Sequence, residues 1–136
     1  MAKKLFDPIQ QKSGEIIDFL MSTSEMPQDE ALLFKIRLSI EETVENIVNY
    51  AYEDGCGWME VNTELDPQGI VLTVTLKDAG KPFNPLEIPD PDVYASIEDR
   101  PIGGLGIFLC KSLMDEVIYR YEEGCNILIM KKQIVA

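Results

Sequence analysis

At 136 residues, 46% of them hydrophobic, the chain is long enough to bury a core, too short for two ordinary domains and too apolar for disorder. It carries 24 acidic against 12 basic residues, a net charge of −12 with the bases scattered, which sets it against the phosphate backbone of DNA or RNA. Histidine is absent, so imidazole triads, imidazole zinc sites and histidine general bases are excluded, and acid–base chemistry falls to Asp, Glu, Lys, Tyr or Cys.

The first residues, Met1–Gln11, hold a basic pair but lack the apolar stretch of a secretory signal. A short run at Lys4–Phe6 is expected as an edge strand. Residues 9–21 place Ile16, Ile17, Leu20 and Met21 at helical spacing. A breaker patch at Ser22–Asp29 precedes the most periodic segment, a helix expected over about residues 28–52. Leu33, Ile36, Ile40, Val44, Ile47, Val48 and Ala51 form its apolar stripe, and Gly55 offers a left-handed cap.

Strands follow. Met59, Val61, Thr63 and Leu65 alternate with more polar neighbours, Asp66–Gly69 turns the chain, and Ile70–Lys77 sets Ile70, Leu72, Val74 and Leu76 on one face, implying an antiparallel hairpin. Phe83–Pro101 is acidic, proline-bearing and aperiodic, the character of a functional loop or lid. Gly103–Met114 reads as a helix entered through glycines, and Val117–Tyr121 with Ile127–Met130 as a closing hairpin around Glu123-Gly124. This order predicts an α+β two-layer sandwich, helices on one face of a largely antiparallel sheet, and disfavours alternating βαβ units. No apolar run reaches ~18 residues, so no membrane-spanning helix is expected. Cys56, Cys110 and Cys125, an odd set without CxxC spacing, read as reduced thiols of a cytoplasmic protein.

Three constellations carry chemistry. Glu42, Asn46 and Asn49 share one helix face, pointing about 160–200° from the Val44–Val48–Ala51 stripe. That face is either solvated or a site where an Asn oxygen meets Mg²⁺ and an acid one turn away accepts a proton. Asp78 continues the core-facing parity of its strand, so its carboxylate needs a donor, and Gly80 lets a flat ligand or another backbone approach. The alternative is a turn in which Asp78 bonds only to backbone N–H groups. Gly103-Gly104-Leu105-Gly106 opens a helix with free N–H groups that suit an anion, or is an ordinary cap. No GKS or GKT follows it, and no strand leads directly into it, so neither a Walker loop nor a dinucleotide fingerprint is present.

The run Glu42-Thr-Val-Glu-Asn46 resembles the N box of the GHKL ATPases, the superfamily of gyrase, the heat-shock chaperone ATPase, sensor histidine kinases and the mismatch-repair ATPase. Asp78-Ala-Gly-Lys-Pro-Phe83 resembles its G1 box, and Gly103-Gly-Leu-Gly106 its G2 box. The segment Ile40–Tyr52, the loop Asn84–Arg100, the run Pro101–Met114 and the turn Glu123-Gly-Cys-Asn126 look like the small anti-sigma-factor serine kinases of bacteria.

The resemblance implies one domain over residues 1–136, with the N box at 42–49, G1 at 78–83, a lid at 84–101 and G2 at 103–109. It implies ATP and Mg²⁺ bound between the N-box helix and the lid. Asn46 would hold Mg²⁺ and the phosphates, Asp78 the adenine amino group with help from Gly80, and Gly103, Gly104, Leu105 and Gly106 the phosphates. Glu42 matches the general base. Asn49 stands where such kinases often carry a histidine or another polar residue. Arg100, and less directly Lys81, are candidate phosphate cations. The implied partners are a small antagonist protein phosphorylated on serine, a sigma factor, and a second copy of the chain, with no nucleic acid or membrane. A nucleotide-dependent binding module without phosphoryl transfer is the rival reading. A histidine kinase fragment is disfavoured, since no phosphoacceptor histidine exists.

Overall fold

The computed structural model describes residues 1–87 and 104–135. Within them, β1 (Ala2–Phe6) leads through a non-helical link to α1 (Ser13–Met21) and then α2 (Glu30–Tyr50). Next come β2 (Met59–Leu65), β3 (Val71–Asp78), a 3-10 turn (Pro85–Glu87), α3 (Gly104–Leu113), β4 (Glu116–Glu122) and β5 (Cys125–Gln133). The strands form one sheet in the order β1-β2-β3-β5-β4, and every pair is antiparallel. The molecule is the expected α+β sandwich, with β1 on the edge.

Alternation explains the layering. Along β3, Leu72, Val74, Leu76 and Asp78 are buried while the residues between them are half-buried. Val61 and Met59 of β2 and Leu128 and Met130 of β5 continue the same inner face. Ile16 and Leu20 of α1 and Ile36, Ile40 and Val44 of α2 fill the space above it. Each such side chain, taken fully out of water, contributes roughly 1.5–3 kcal/mol before conformational entropy is set against it.

Several boundaries differ from the sequence expectation, each for a local reason. α2 starts at Glu30 because the Asp29 side chain accepts the Leu32 N–H at 2.9 Å, a side-chain N-cap. α1 begins four residues later than its periodicity suggests, since Gln11 takes φ 61° and breaks the helix. Gly55 is left-handed (φ 72°), yet it closes a turn beyond the helix, donating to the Tyr52 carbonyl, while the cap residue Ala51 keeps helical angles. Ile70 lies outside β3 and is exposed. The closing hairpin is longer than its apolar centre, because the ladder continues through Lys131, Lys132 and Gln133 against β3.

The α2 stripe also shifts. Burial centres on Ile36, Ile40 and Val44 and extends sideways to Ser39 and Thr43, whereas Leu33, Ile47, Val48 and Ala51 are only half-buried. The cause is α3, which packs beside α2 through Ile107 and Cys110. Cys110 Sγ lies 3.3 Å from Met130 Sδ, and Thr43 Oγ1 bonds to the Ser39 carbonyl at 2.9 Å, satisfying the hydroxyl locally. Lys132 closes the far end of α3, its ammonium on the Leu113 carbonyl at 2.9 Å.

The C-terminal end of α2 meets the strands with no room to spare. A Cβ on Gly57 would sit 2.1 Å from the Tyr52 ring, and one on Gly80 would sit 2.2 Å from the Ala51 carbonyl oxygen. That carbonyl, left without a helical partner, takes the Lys81 N–H at 3.2 Å. The Tyr52 hydroxyl donates to the Trp58 carbonyl (2.6 Å) and accepts from the Ala79 N–H (2.8 Å).

Two measurements test this packing. Gly57→Ala forces the ring or the backbone to move and is expected to cost about 1–3 kcal/mol in chemical denaturation, the usual range for overpacking; an unchanged midpoint would contradict the contact. Burial pushes the Cys110 thiol up to about 12, and the residue is wholly inaccessible, while Cys56 is exposed. A thiol reagent at pH 8 should therefore modify Cys56 in the native protein and reach Cys110 only after denaturation.

Candidate functional site

At the end of the sheet where β3 runs out, α2, α3 and the segment after β3 enclose a cavity of about 460 Å³, within the range of small-molecule sites. Ile47, Ile107, Leu128 and Pro85 supply apolar wall. Glu42, Asn46 and Asn49 line the α2 side, Asp78 and Lys81 come from the end of β3 and the loop beyond it, and Gly106 comes from α3. Six candidates named from sequence thus converge on one concavity. Glu42 and Asn46 are half-buried there and not on a solvated face, because α3 flanks that side of α2; Asn49, a turn further on, is exposed.

Other candidates fall differently. Gly80 is buried, and its missing side chain makes room for the Ala51 carbonyl, the backbone approach of the two that the sequence allows. At Gly106 a Cβ would lie 2.7 Å from Glu42 Oε2, so this glycine lets the carboxylate approach α3. Gly104 and Leu105 open α3, where backbone N–H groups lack helical partners. Arg100, Gly103 and most of the expected lid lie outside the described residues.

Asp78 is 3% exposed. Its Oδ1 accepts the Gly80 N–H at 2.8 Å and the Asn126 amide at 3.0 Å. The turn-type bond to backbone is therefore present, yet a side chain from another strand shares the oxygen. Among the described residues both bonds fall on Oδ1. Burial raises the Asp78 pKa above the ordinary carboxylate value, and the two donors only partly offset it. Burial likewise raises Tyr119, whose hydroxyl donates to Asn126 Oδ1.

Asn126 was absent from the sequence candidates as a site residue. The signal was available in principle: it sits opposite Asp78 in the β3–β5 register and is buried on the inner face, two residues before Leu128. Finding it requires knowing that β5 pairs with β3, which local pattern does not reveal. The role of Tyr52 is likewise beyond local pattern, as its partners lie 6 and 27 residues away.

The described lining carries three carboxylates, Glu42, Glu45 and Asp78, against Lys81. No trio of acidic or thiol side chains gathers into a metal cage among the described residues. Asn46 could offer one amide oxygen to a hard cation, with the rest of the shell left to a ligand and water.

Comparison with known proteins matches this architecture. Residues 13–132 fit the family model described as a histidine kinase-like ATPase domain. The serine-protein kinase RsbW of Listeria monocytogenes is 33% identical over 103 residues, 71% of this chain and 63% of that protein. The RsbW of Bacillus thuringiensis is 28% identical over 98 residues, 71% of this chain and 61% of that protein. The chain thus aligns with about three-fifths of the length of these relatives. Among solved structures, the RsbU and RsbW domains of a Mycobacterium tuberculosis protein superpose with a TM-score of 0.63 at 15% identity, over 98% of this chain and 33% of that one. The catalytic domain of the histidine kinase ThkA gives 0.56 at 13% identity, over 98% of both chains. These two likenesses concern the fold alone. With the family model spanning most of its length, the chain belongs to the histidine kinase-like ATPase domain family, the GHKL fold.

Proposed function

We propose that residues 1–136 act as one ATP-binding kinase domain that transfers the γ-phosphate to a serine of a small antagonist protein, and that its nucleotide-bound homodimer holds a partner such as a sigma factor. The observation that carries this reading is the cavity itself: Glu42 and Asn46 on one wall, Asp78 on the core side and α3 opening beside them. The resemblance to serine-protein kinases supports a serine acceptor.

Each residue has a task in this reading. Asp78 Oδ2, the oxygen left without a bond among the described residues, accepts from the 6-amino group of adenine. Ile47, Ile107 and Leu128 provide apolar surface for the ring. The N–H groups of Gly104, Leu105 and Gly106 face the phosphates from the start of α3. Lys81, Arg100 and Asn49 are candidate cationic and amide contacts to phosphate, and Gly103 extends the backbone cradle.

A triphosphate entering a cavity with three carboxylates and one lysine meets net repulsion among the described side chains. Mg²⁺, held through Asn46, supplies the countercharge when bound. Glu42 takes the proton from the serine hydroxyl as its oxygen bonds to the γ-phosphorus. The bond from that phosphorus to the β–γ bridging oxygen breaks, and ADP departs with the electron pair. Support for this role comes from the position of Glu42 on α2 beside α3, with Gly106 leaving space for its carboxylate.

Isothermal titration with ATP and Mg²⁺ is the direct test, and no binding at millimolar ATP rules the reading out. Glu42→Gln should bind ATP within about threefold of the parent and lower serine phosphorylation by about 10²–10⁴-fold, the usual worth of a general base. Binding with no transfer by the parent would favour the nucleotide-dependent module.

Asp78→Asn separates stability from binding. Because burial raises the folded-state pKa, the native chain holds this proton more tightly than the unfolded one. Stability is lost as pH rises from the ordinary Asp value through the raised one. The Asn variant keeps an oxygen for Gly80 and Asn126 without a buried charge. Its melting temperature without nucleotide should exceed the parent's at pH 7–8, the gain shrinking toward pH 4. It should bind ATP about 10–100-fold more weakly, as loss of a hydrogen bond to a charged group implies. A lower melting temperature at pH 8 would show that the ionised carboxylate stabilises the fold.

A further inference from the structure

We propose that Asn126 is a positioning residue that sets which purines the cavity accepts, by fixing the orientation of Asp78 and of the segment Gly80–Phe83. This rests on the nucleotide reading above. One buried amide, 8% exposed, meets five partners on three parts of the chain. Its Nδ2 donates to Asp78 Oδ1 (3.0 Å), to the Lys81 carbonyl (2.9 Å) and, longer, to the Gly80 carbonyl (3.4 Å). Its Oδ1 accepts the Phe83 N–H (3.1 Å) and the Tyr119 hydroxyl.

This distribution leaves only one way round for the amide. Turned by 180°, it would set its NH₂ against an N–H and its oxygen against a carboxylate and two carbonyls. The donor edge therefore always faces Asp78. Together with the Gly80 N–H at 2.8 Å it occupies Oδ1 and holds the plane of the carboxyl group. Oδ2 is then the oxygen left for a ligand, and an ionised carboxylate oxygen can only accept. A 6-amino purine offers a donor there, whereas a 6-oxo purine offers a lone pair. Without the amide, Asp78 keeps a single tether, and its carboxyl can turn to suit either edge or to face water.

The two edges together do a second job, Oδ1 accepting from Phe83 and Nδ2 donating to Lys81. Phe83 and Lys81 lie beyond the last strand residue and have no ladder partner from β2 or β5 in the register. The Asn126 bonds to the Phe83 N–H and the Lys81 carbonyl stand in for that ladder, so the cavity rim is held by a side chain of β5. Lys81, Phe83 and Asn126 all line the cavity.

The test compares ATP with inosine triphosphate, which differs at the 6-position, by isothermal titration with Mg²⁺. The parent should prefer ATP by at least about tenfold. Asn126→Asp keeps the acceptor edge and replaces the donor edge; Asn126→Ala removes both. In both variants the preference should fall to within about threefold of unity, ATP losing more affinity than inosine triphosphate. A purely structural role would weaken both nucleotides in parallel and leave the ratio intact, which overturns the proposal. Should neither variant fold, Tyr119→Phe removes the hydroxyl bond to Asn126 Oδ1 and keeps the ring. It should lower the ratio by about two- to fivefold, and an unchanged ratio there is equally fatal. A parent that binds both nucleotides without preference defeats the role of Asp78 and Asn126 but not ATP binding. A parent that binds neither defeats the nucleotide reading itself.

Discussion

Asp78 places a carboxylate on the inner face of the central strand, in line with Leu72, Val74 and Leu76. A charge in that position carries a desolvation cost that only fixed donors can offset. Those donors come from two directions: the Gly80 N–H just downstream and the Asn126 amide across the strand pair. The segment after β3 must therefore turn back on itself to deliver Gly80, and β5 must run far enough to bring Asn126 opposite Asp78. The position of the cavity follows, because Asp78 is where the inner face stops being apolar and begins to offer chemistry.

The turn that delivers Gly80 has its own condition. It lies against the last turn of α2, close enough for the Ala51 carbonyl to accept the Lys81 N–H. Only glycine at position 80 permits that distance. Tyr52 adds a second fastening through Ala79 and Trp58, and its ring occupies the space that Gly57 leaves. Burial raises the Tyr52 pKa, so the hydroxyl stays a donor through the physiological range. The helix bearing Glu42 and Asn46 and the loop bearing Lys81 are thus joined by backbone and aromatic contacts that need no ligand. Under the proposed reading, the phosphate wall and the base end of the cavity are held in register before nucleotide arrives, which reduces the ordering that binding must impose.

What was legible in the sequence was whatever repeats locally. The period of α2, the alternation of β2 and β3 and the Asp66–Gly69 turn announce themselves within ten residues or so, and the parity of Asp78 follows from its strand alone. The three motif segments were legible too, and the fold brings Glu42, Asn46, Asp78 and Gly106 to one cavity. The purpose of the two glycines was not. Sequence leaves Gly80 open to a flat ligand or another backbone and Gly106 to an anion or a cap; the atoms a Cβ would meet are the Ala51 carbonyl and the Glu42 carboxylate, 29 and 64 positions earlier. Asn126 and Tyr119 were invisible for the same reason: their importance lies in the β3–β5–β4 order, a non-local pairing that no window of sequence contains. The widening of the buried face of α2 to Ser39 and Thr43 likewise depends on α3, which docks there from more than sixty residues on.

Electrostatics separates the two ends of the cavity. At the Asp78 end the carboxyl is buried with both donors on one oxygen, so under the proposed reading it discriminates by hydrogen-bond direction. At the Glu42–Asn46 end the groups are half-buried and acidic, with Glu45 exposed nearby, so an anionic ligand there is opposed by Coulomb repulsion in a chain already at −12. Within the proposed function this opposition has a use. A triphosphate without a divalent cation is disfavoured, and a cation without a triphosphate finds one amide and no carboxylate cage among the described residues. Each is drawn in chiefly with the other, so the acidity of the phosphate wall, which at first sight argues against a phosphate ligand, selects for the metal-bound form.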